Sequence, residues 1–216
     1  YGENWFKVFG AMAGNAGIRV TGVERYARTD QSVTGQVLKL VAGHPDAILI
    51  AAVGGPAVLP QATLFDRGYK GLGYQTHAVA TDEGSKLGQQ KVEGTILAAG
   101  PMLVIDEIPA TNPTKAVAQA YIAAYRARFG AVPATFGANT WDAGLLLERA
   151  IPVALAAAKP GSEAFRVALR DALEKEREVV GCQGVFNMSP TDHNGMDARA
   201  RVLVTVKDGR FRLLAD

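Results

Sequence analysis

The stretch Asp46-Ala47-Ile48-Leu49-Ile50-Ala51-Ala52-Val53-Gly54-Gly55-Pro56 decides how the rest of the chain is read. Ile48, Leu49, Ile50 and Val53 form a short apolar run, the pattern of a strand covered on both faces. Gly54 and Gly55 end it. Pro56 suits the first turn of a helix, where the N–H it lacks would have no intrahelical partner. The helix runs to Arg67 and stops at Gly68, and a second strand follows that ends on Tyr74, Gln75, Thr76 and His77. This is a βαβ unit. Ligands of such sheets sit beyond the carboxyl ends of the strands, here around residues 53–56 and 74–78.

The flanking sequence extends the same alternation. Upstream, Phe6, Phe9 and Ala13 recur at helical spacing, with Trp5, Val8 and Met12 widening the apolar face. Asn15-Ala16-Gly17 stops that helix, and Ile18, Val20 and Val23 alternate with polar residues over 18–26, as in a strand. Thr29-Asp30-Gln31-Ser32 opens a helix carrying Val33, Val37, Leu38 and Val41. Downstream, Thr81-Asp82-Glu83 opens a short helix to Lys91, and residues 94–99 form a further strand. The alternation predicts a parallel α/β sheet over residues 1–100. Such a domain has a strand before its first helix and the chain does not, so a fragment of a longer protein is expected.

Beyond residue 100 the texture changes. Residues 100–109 are Pro-bounded and read as an extended connector. Pro113 opens a helix to Phe129 with Val117, Tyr121, Ala124 and Tyr125 on one face. A second helix covers 139–158 with Trp141, Leu145, Leu146 and Ile151, and a third covers 162–176. The charge run from Glu174 to Glu178 reads as a solvated face. The tail returns to strands at 184–188, 201–206 and 210–214, and Asp208-Gly209 between the last two is a hairpin signal.

Composition narrows the function. The chain has 216 residues, 48% of them apolar, enough for a real core. Basic residues number 23 against 21 acidic, for a net charge of +2 without a basic stripe, so nucleic acid is not an expected partner. No apolar run approaches the roughly 20 residues that span a bilayer, and Glu3, Asn4 and Lys7 exclude residues 2–16 as a signal peptide. Either the chain is cytosolic or a leader has been removed. The single Cys182 excludes an internal disulfide and leaves the compartment open.

Candidate chemistry is sparse. Gly54-Gly55-Pro56 could offer helix N-terminal amides to an anion, though it lacks the Lys-Ser/Thr of a P-loop and the full dinucleotide fingerprint; the alternative is a plain strand–helix turn. His77, at a strand's carboxyl end, is a donor for a ligand carboxylate, and the alternative for a lone His is a structural role. His44 reads as surface. Three scattered His, one Cys and no His-Glu-x-x-His argue against a metal site, and no cofactor is expected. No Gly-x-Ser-x-Gly is present, and Ser32, Ser85, Ser162 and Ser189 fall in caps and loops. Cys182 reads as a small packed residue. Asp106 and Glu107 are adjacent in an extended segment and point to opposite sides. Asp192-His193-Asn194-Gly195 with Asp197 hints at a calcium loop, but its twelfth position is Leu203, so it reads as a polar turn. With no catalytic set, an enzyme is not expected.

Several stretches together resemble the type I periplasmic solute-binding proteins of ABC importers, in the branched-chain amino acid (Leu/Ile/Val) receptor family. They are Tyr1-Gly2-Glu3, Val53-Gly54-Gly55-Pro56, residues 62–68, Val92-Glu93-Gly94-Thr95, Ala99-Gly100-Pro101 and Ser189-Pro190-Thr191-Asp192-His193-Asn194-Gly195. The resemblance covers essentially the whole chain and corresponds to the carboxyl-terminal part of the family's proteins. It implies an α/β, type I periplasmic-binding-protein fold, with a nearly complete parallel-sheet lobe plus a helical part of the other lobe. Residues 1–104 would be the second ligand-binding lobe without its first strand, 105–182 a helical segment returning to the first lobe, and 183–216 the final crossover and hairpin.

Carried over by position, Tyr1 matches a pocket Tyr of the family's Tyr-Gly-Glu motif. Val53 or Gly54 stands where the family often has an aromatic beside its Gly-Gly, a departure. Gln75-Thr76-His77 falls where amino-acid receptors place a carboxylate against the ligand's ammonium, and this loop has no acid. An ammonium buried there without a partner would be costly. The resemblance therefore points to the aromatic-acid-binding branch, with an aromatic or aliphatic carboxylate as ligand. The expected ligand residues are Tyr1, Val53, Gly54, Gly55, Tyr74, Gln75, Thr76 and His77. A membrane ABC permease is the implied partner, the periplasm the implied location, and hinge closure the implied mechanism. A branched-chain amino acid receptor of the same family and a cytosolic ligand-sensing domain of a regulator are the alternatives.

Overall fold

The protein is described from a computed structural model, which covers residues 1–80 and 89–214 of the 216. The chain divides into two compact units, Tyr1–Ala98 with Leu203–Asp216, and Ala99–Val202. In the first unit lie α1 (Gly2–Asn15), α2 (Thr34–Ala42), β1 (Ala47–Ile50), α3 (Gly55–Asp66), β2 (Leu72–Gln75) and β3 (Ile96–Ala99). The second holds α4 (Thr114–Phe129), α5 (Thr135–Ala157), α6 (Glu163–Leu173), β4 (Val179–Val180) and β5 (Val185–Phe186). The chain then returns through β6 (Val202–Lys207) and β7 (Arg210–Leu213).

The first unit is built on a five-stranded sheet in the order β1-β2-β3-β6-β7. β1, β2 and β3 pair in parallel, with Ile50 opposite Gln75 and Gln75 opposite Leu97. β6 and β7 form the expected antiparallel hairpin, and Asp208 (φ 53°) and Gly209 (φ 67°) give its turn the left-handed backbone of the type I′ class. Glu93 holds that turn from outside, its carboxylate accepting from Asp208 N at 2.7 Å.

The core beneath β1 joins Ile48 and Ile50 to Val33, at the cap of α2, Val37 of α2 and Leu64 of α3. Burying each such side chain contributes roughly 1.5–3 kcal/mol. Burial along β1 alternates, however, with Ala47 exposed and Leu49 only half-buried. The apolar run thus has one fully covered face instead of the two expected. The Gln61 side chain of α3 packs over Gly73 of β2, where a Cβ would come within 2.9 Å of Gln61 Oε1.

Other expectations need correction. Residues 18–26 join no ladder among the described residues, and Ile18, Val20 and Val23 stay exposed; alternation alone makes no strand without a neighbour to pair with. The helix expected over 81–91 falls largely outside the described residues, and Gln89–Val92 forms a 3-10 turn. The connector at 100–109 is not extended, because Pro101–Val104 coils into a 3-10 turn that buries Met102 and Val104. α5 begins at Thr135, four residues before its expected start. The charge run is not simply solvated: Glu176 is 8% exposed and accepts from Arg149 Nε at 2.7 Å.

In the second unit, Asp142 of α5 is almost fully buried. Its carboxylate accepts from Cys182 N at 2.6 Å and Gln183 N at 2.9 Å, pinning α5 to the loop between β4 and β5. Gln183 Nε2 donates to Thr135 O and Thr135 Oγ1, both at 3.0 Å. Burial raises the Asp142 pKa, opposed by these backbone hydrogen bonds, and burial beside Asp142 pushes the Cys182 thiol well up. Cys182 is a packed, unreactive residue.

Candidate ligand-binding site

The expected ligand residues gather at the carboxyl ends of β1 and β2. Beyond β1 the chain runs through Val53, 38% exposed, into Gly54 at φ 65° and ψ −144°, a backbone conformation that only glycine adopts at low cost. Gly54 O accepts from Ala57 N at 3.0 Å and starts α3. No side chain caps that helix and its first turn holds no acid, so its N-terminal end, with Gly55 N–H, is the positive end beside the site.

Beyond β2, Thr76 is 2% exposed and central. Its Oγ1 accepts from Tyr1 Oη at 2.7 Å and donates to Ala52 O at 3.4 Å. This chain of contacts joins the start of α1 to the ends of β1 and β2. It holds Tyr1, otherwise exposed, with its ring tilted beside Trp5 at a centroid distance of 6.4 Å. His77 follows in a 3-10 turn, His77–Val79, half-buried. Burial pushes its pKa below 6.5, which favours the neutral imidazole.

Gln75 and Tyr74 are placed differently. Gln75 is buried and donates through Nε2 to Ala57 O at 3.0 Å, tying β2 to the first turn of α3. Tyr74 is half-buried in the strand, opposite Leu49 and Ile96. Tyr1 and Thr76 therefore come together beside Ala52, which leads into the 53–55 turn, with His77 next along the chain, while Gln75 turns inward. Sequence reading missed Tyr26, whose hydroxyl donates to Pro56 O at 2.9 Å and secures the other side of the same turn. The signal was present, since an aromatic ending the alternation of residues 18–26 is a side chain with a polar tip to place. Among the described residues no group of three or more His, Cys, Asp or Glu is arranged to hold a metal ion. None of their helices is long and apolar enough to cross a membrane.

Comparison with known proteins sets this geometry in a family. The sequence profile of the periplasmic binding proteins matches residues 1–210. An extracellular ligand-binding receptor from Rhodopseudomonas palustris HaA2 is 48% identical, with a TM-score of 0.91 over 99% of this chain and 60% of that one. A protein of Rhodopseudomonas palustris strain CGA009 is 42% identical, with a TM-score of 0.93 over 100% of this chain and 60% of its own. A leucine-binding protein from Thermotoga maritima, 24% identical, shares the fold at a TM-score of 0.69 over 88% of this chain and 49% of that one. No curated protein sequence matches the chain. The chain thus spans about 60% of the length of the Rhodopseudomonas structures it matches. It belongs to the periplasmic binding protein family, which consists of solute-binding receptors and not enzymes, and it carries the type I fold of that family.

Proposed function

We propose that the full-length protein is the substrate-binding component of an ABC importer, working in the periplasm and capturing a small aromatic or aliphatic carboxylate. The observation that carries this reading is the hydroxyl–imidazole pair at the end of β2. Tyr1 and Thr76 are hydrogen-bonded at 2.7 Å beside a His77 that burial keeps neutral, and residues 53–57 and 74–79 contain no acid. A carboxylate needs donors: Gly55 N–H stands at the uncapped start of α3, and on binding the Tyr1 hydroxyl would turn from Thr76 Oγ1 to the ligand, with the His77 imidazole beside it. An α-ammonium needs an anion, and residues 53–57 and 74–79 offer none. In this reading Tyr1, Val53, Gly54, Gly55, Thr76 and His77 face the ligand, with Tyr74 and Gln75 supporting them.

The mechanism is capture by closure. A ligand that contacts both lobes of the full-length protein binds the closed form better than the open one and shifts the balance by that difference. The closed form is then what a membrane permease recognises. No bond is made or broken.

The test is a thermal-shift screen of the full-length protein against amino acids and against aromatic and aliphatic carboxylates. Ligand at about 100 times its dissociation constant stabilises by roughly 2.7 kcal/mol, a readable shift. A rise with carboxylates alone supports the reading. A rise with leucine or valine assigns the protein to the amino-acid branch and overturns the carboxylate reading.

A further inference from the structure

Behind the end of β2, on the side occupied by α3, lies a cavity of about 20 Å³. Val58, Val79, Leu97 and Phe211 are among its apolar lining residues, and Gln75 and Thr95 are its polar members. Both are deeply buried, Gln75 at 6% and Thr95 at 3% exposure. Two of their oxygens, Gln75 Oε1 and Thr95 Oγ1, are buried and make no hydrogen bond to any protein group. Turning the Gln75 amide over would not help, because Ala57 O needs the donor that Nε2 now supplies at 3.0 Å.

A buried oxygen without a partner costs about 1–3 kcal/mol, so two on one cavity call for a common explanation. A cavity holds a water when it offers about 10–15 Å³ of occupiable space and two to four polar partners. This one offers about 20 Å³ of such space, and two of its lining residues carry unpartnered oxygens. We propose that it is a structural water site. The bound water donates to Gln75 Oε1 and bonds Thr95 Oγ1, bridging β2 to the segment that enters β3.

Its position gives the water a role. Thr95 O accepts from Val206 N at 3.1 Å, so the bridged segment is itself tied to β6. Gln75, held by the water at one amide atom, holds Ala57 O of α3 with the other. Thr76 and His77 follow directly. One water therefore fixes Gln75 as a strut between β2 and the first turn of α3. This inference stands independently of which ligand the protein binds.

Two measurements on the full-length protein test it. A crystal structure sharp enough to show ordered solvent is expected to have a density peak within about 3.2 Å of both Gln75 Oε1 and Thr95 Oγ1. An empty cavity there, or a Gln75 amide paired within the protein instead, overturns the proposal. The second measurement is the sign of the change in thermal midpoint for Thr95→Val, which keeps the side chain's shape. If the water is bound, the substitution removes one of its partners, and the midpoint falls by about 2 °C. If the site is dry, Thr95 Oγ1 is a standing cost that the substitution relieves. An unchanged or raised midpoint then overturns the proposal.

Discussion

The Tyr26 hydroxyl donates to Pro56 O at 2.9 Å, and it fills a gap that Pro60 creates. In an uninterrupted helix the carbonyl of residue 56 would accept from the N–H of residue 60, four positions on. Pro60 lies inside α3 and has no N–H. The hydroxyl arriving from residue 26 takes its place in the first turn of α3. Burial raises the Tyr26 pKa to about 12, so the hydroxyl keeps its proton throughout the neutral range.

Tyr26→Phe is therefore expected to cost about 1–2 kcal/mol in urea-induced unfolding of the full-length protein, as a buried carbonyl loses its donor. The informative comparison is the same substitution in a Pro60→Ala background. Alanine restores an N–H to position 60, so the cost of Tyr26→Phe is expected to shrink there by about half or more. Equal costs in the two backgrounds would show that the hydroxyl is not compensating for the proline.

Asp142 makes the matching prediction in the second unit. Removing its carboxylate leaves the Cys182 and Gln183 amides without acceptors in a buried loop. Asp142→Ala is expected to destabilise by about 2–4 kcal/mol. Asp142→Asn, which keeps one acceptor oxygen, is expected to cost about half as much. Chemical unfolding of the two variants checks the ranking, and equal costs would mean that a single amide carries the interaction.

What could be read in advance followed physical signals that are local. The Val53-Gly54-Gly55-Pro56 turn, the Asp208-Gly209 hairpin and the helix after Pro113 all formed, because backbone freedom at glycine and the fixed φ of proline act within a few residues. Misreadings arose where the outcome depended on distant partners. Residues 18–26 alternate like a strand yet pair with nothing described, and Glu176 looked solvated until α5 brought Arg149 against it. At the site, the position of His77 was legible from its place after β2. The inward turn of Gln75 was not, because it depends on a carbonyl 18 residues away in α3. Asp142 gave no warning, since its partners lie 40 and 41 positions along the chain.

His77 gives a prediction about acid. Burial lowers its pKa in the folded state below the ordinary 6.5, so the unfolded chain takes up the proton more readily. Its contribution to stability is then fully present above 6.5 and is lost as the pH falls from there through the folded-state value. Unfolding free energy measured at a series of pH values should fall less steeply over that window in His77→Gln than in the unaltered protein. Parallel curves for the two proteins would rule out the buried imidazole as a source of acid sensitivity.

The same imidazole couples ligand capture to pH if the ligand is a carboxylate. An anion beside His77 stabilises the protonated ring, so binding raises the His77 pKa and takes up protons wherever the bound and free values differ. By linkage, affinity for the carboxylate should strengthen as the pH is lowered towards the free protein's His77 pKa, for as long as the ligand itself stays ionised. Calorimetry in buffers of different ionisation enthalpy reads that proton uptake directly. His77→Gln should abolish it, while Tyr1→Phe should leave it intact and weaken binding about 5- to 10-fold through loss of the hydroxyl held at Thr76. Proton uptake that survives His77→Gln would place the carboxylate against some other group.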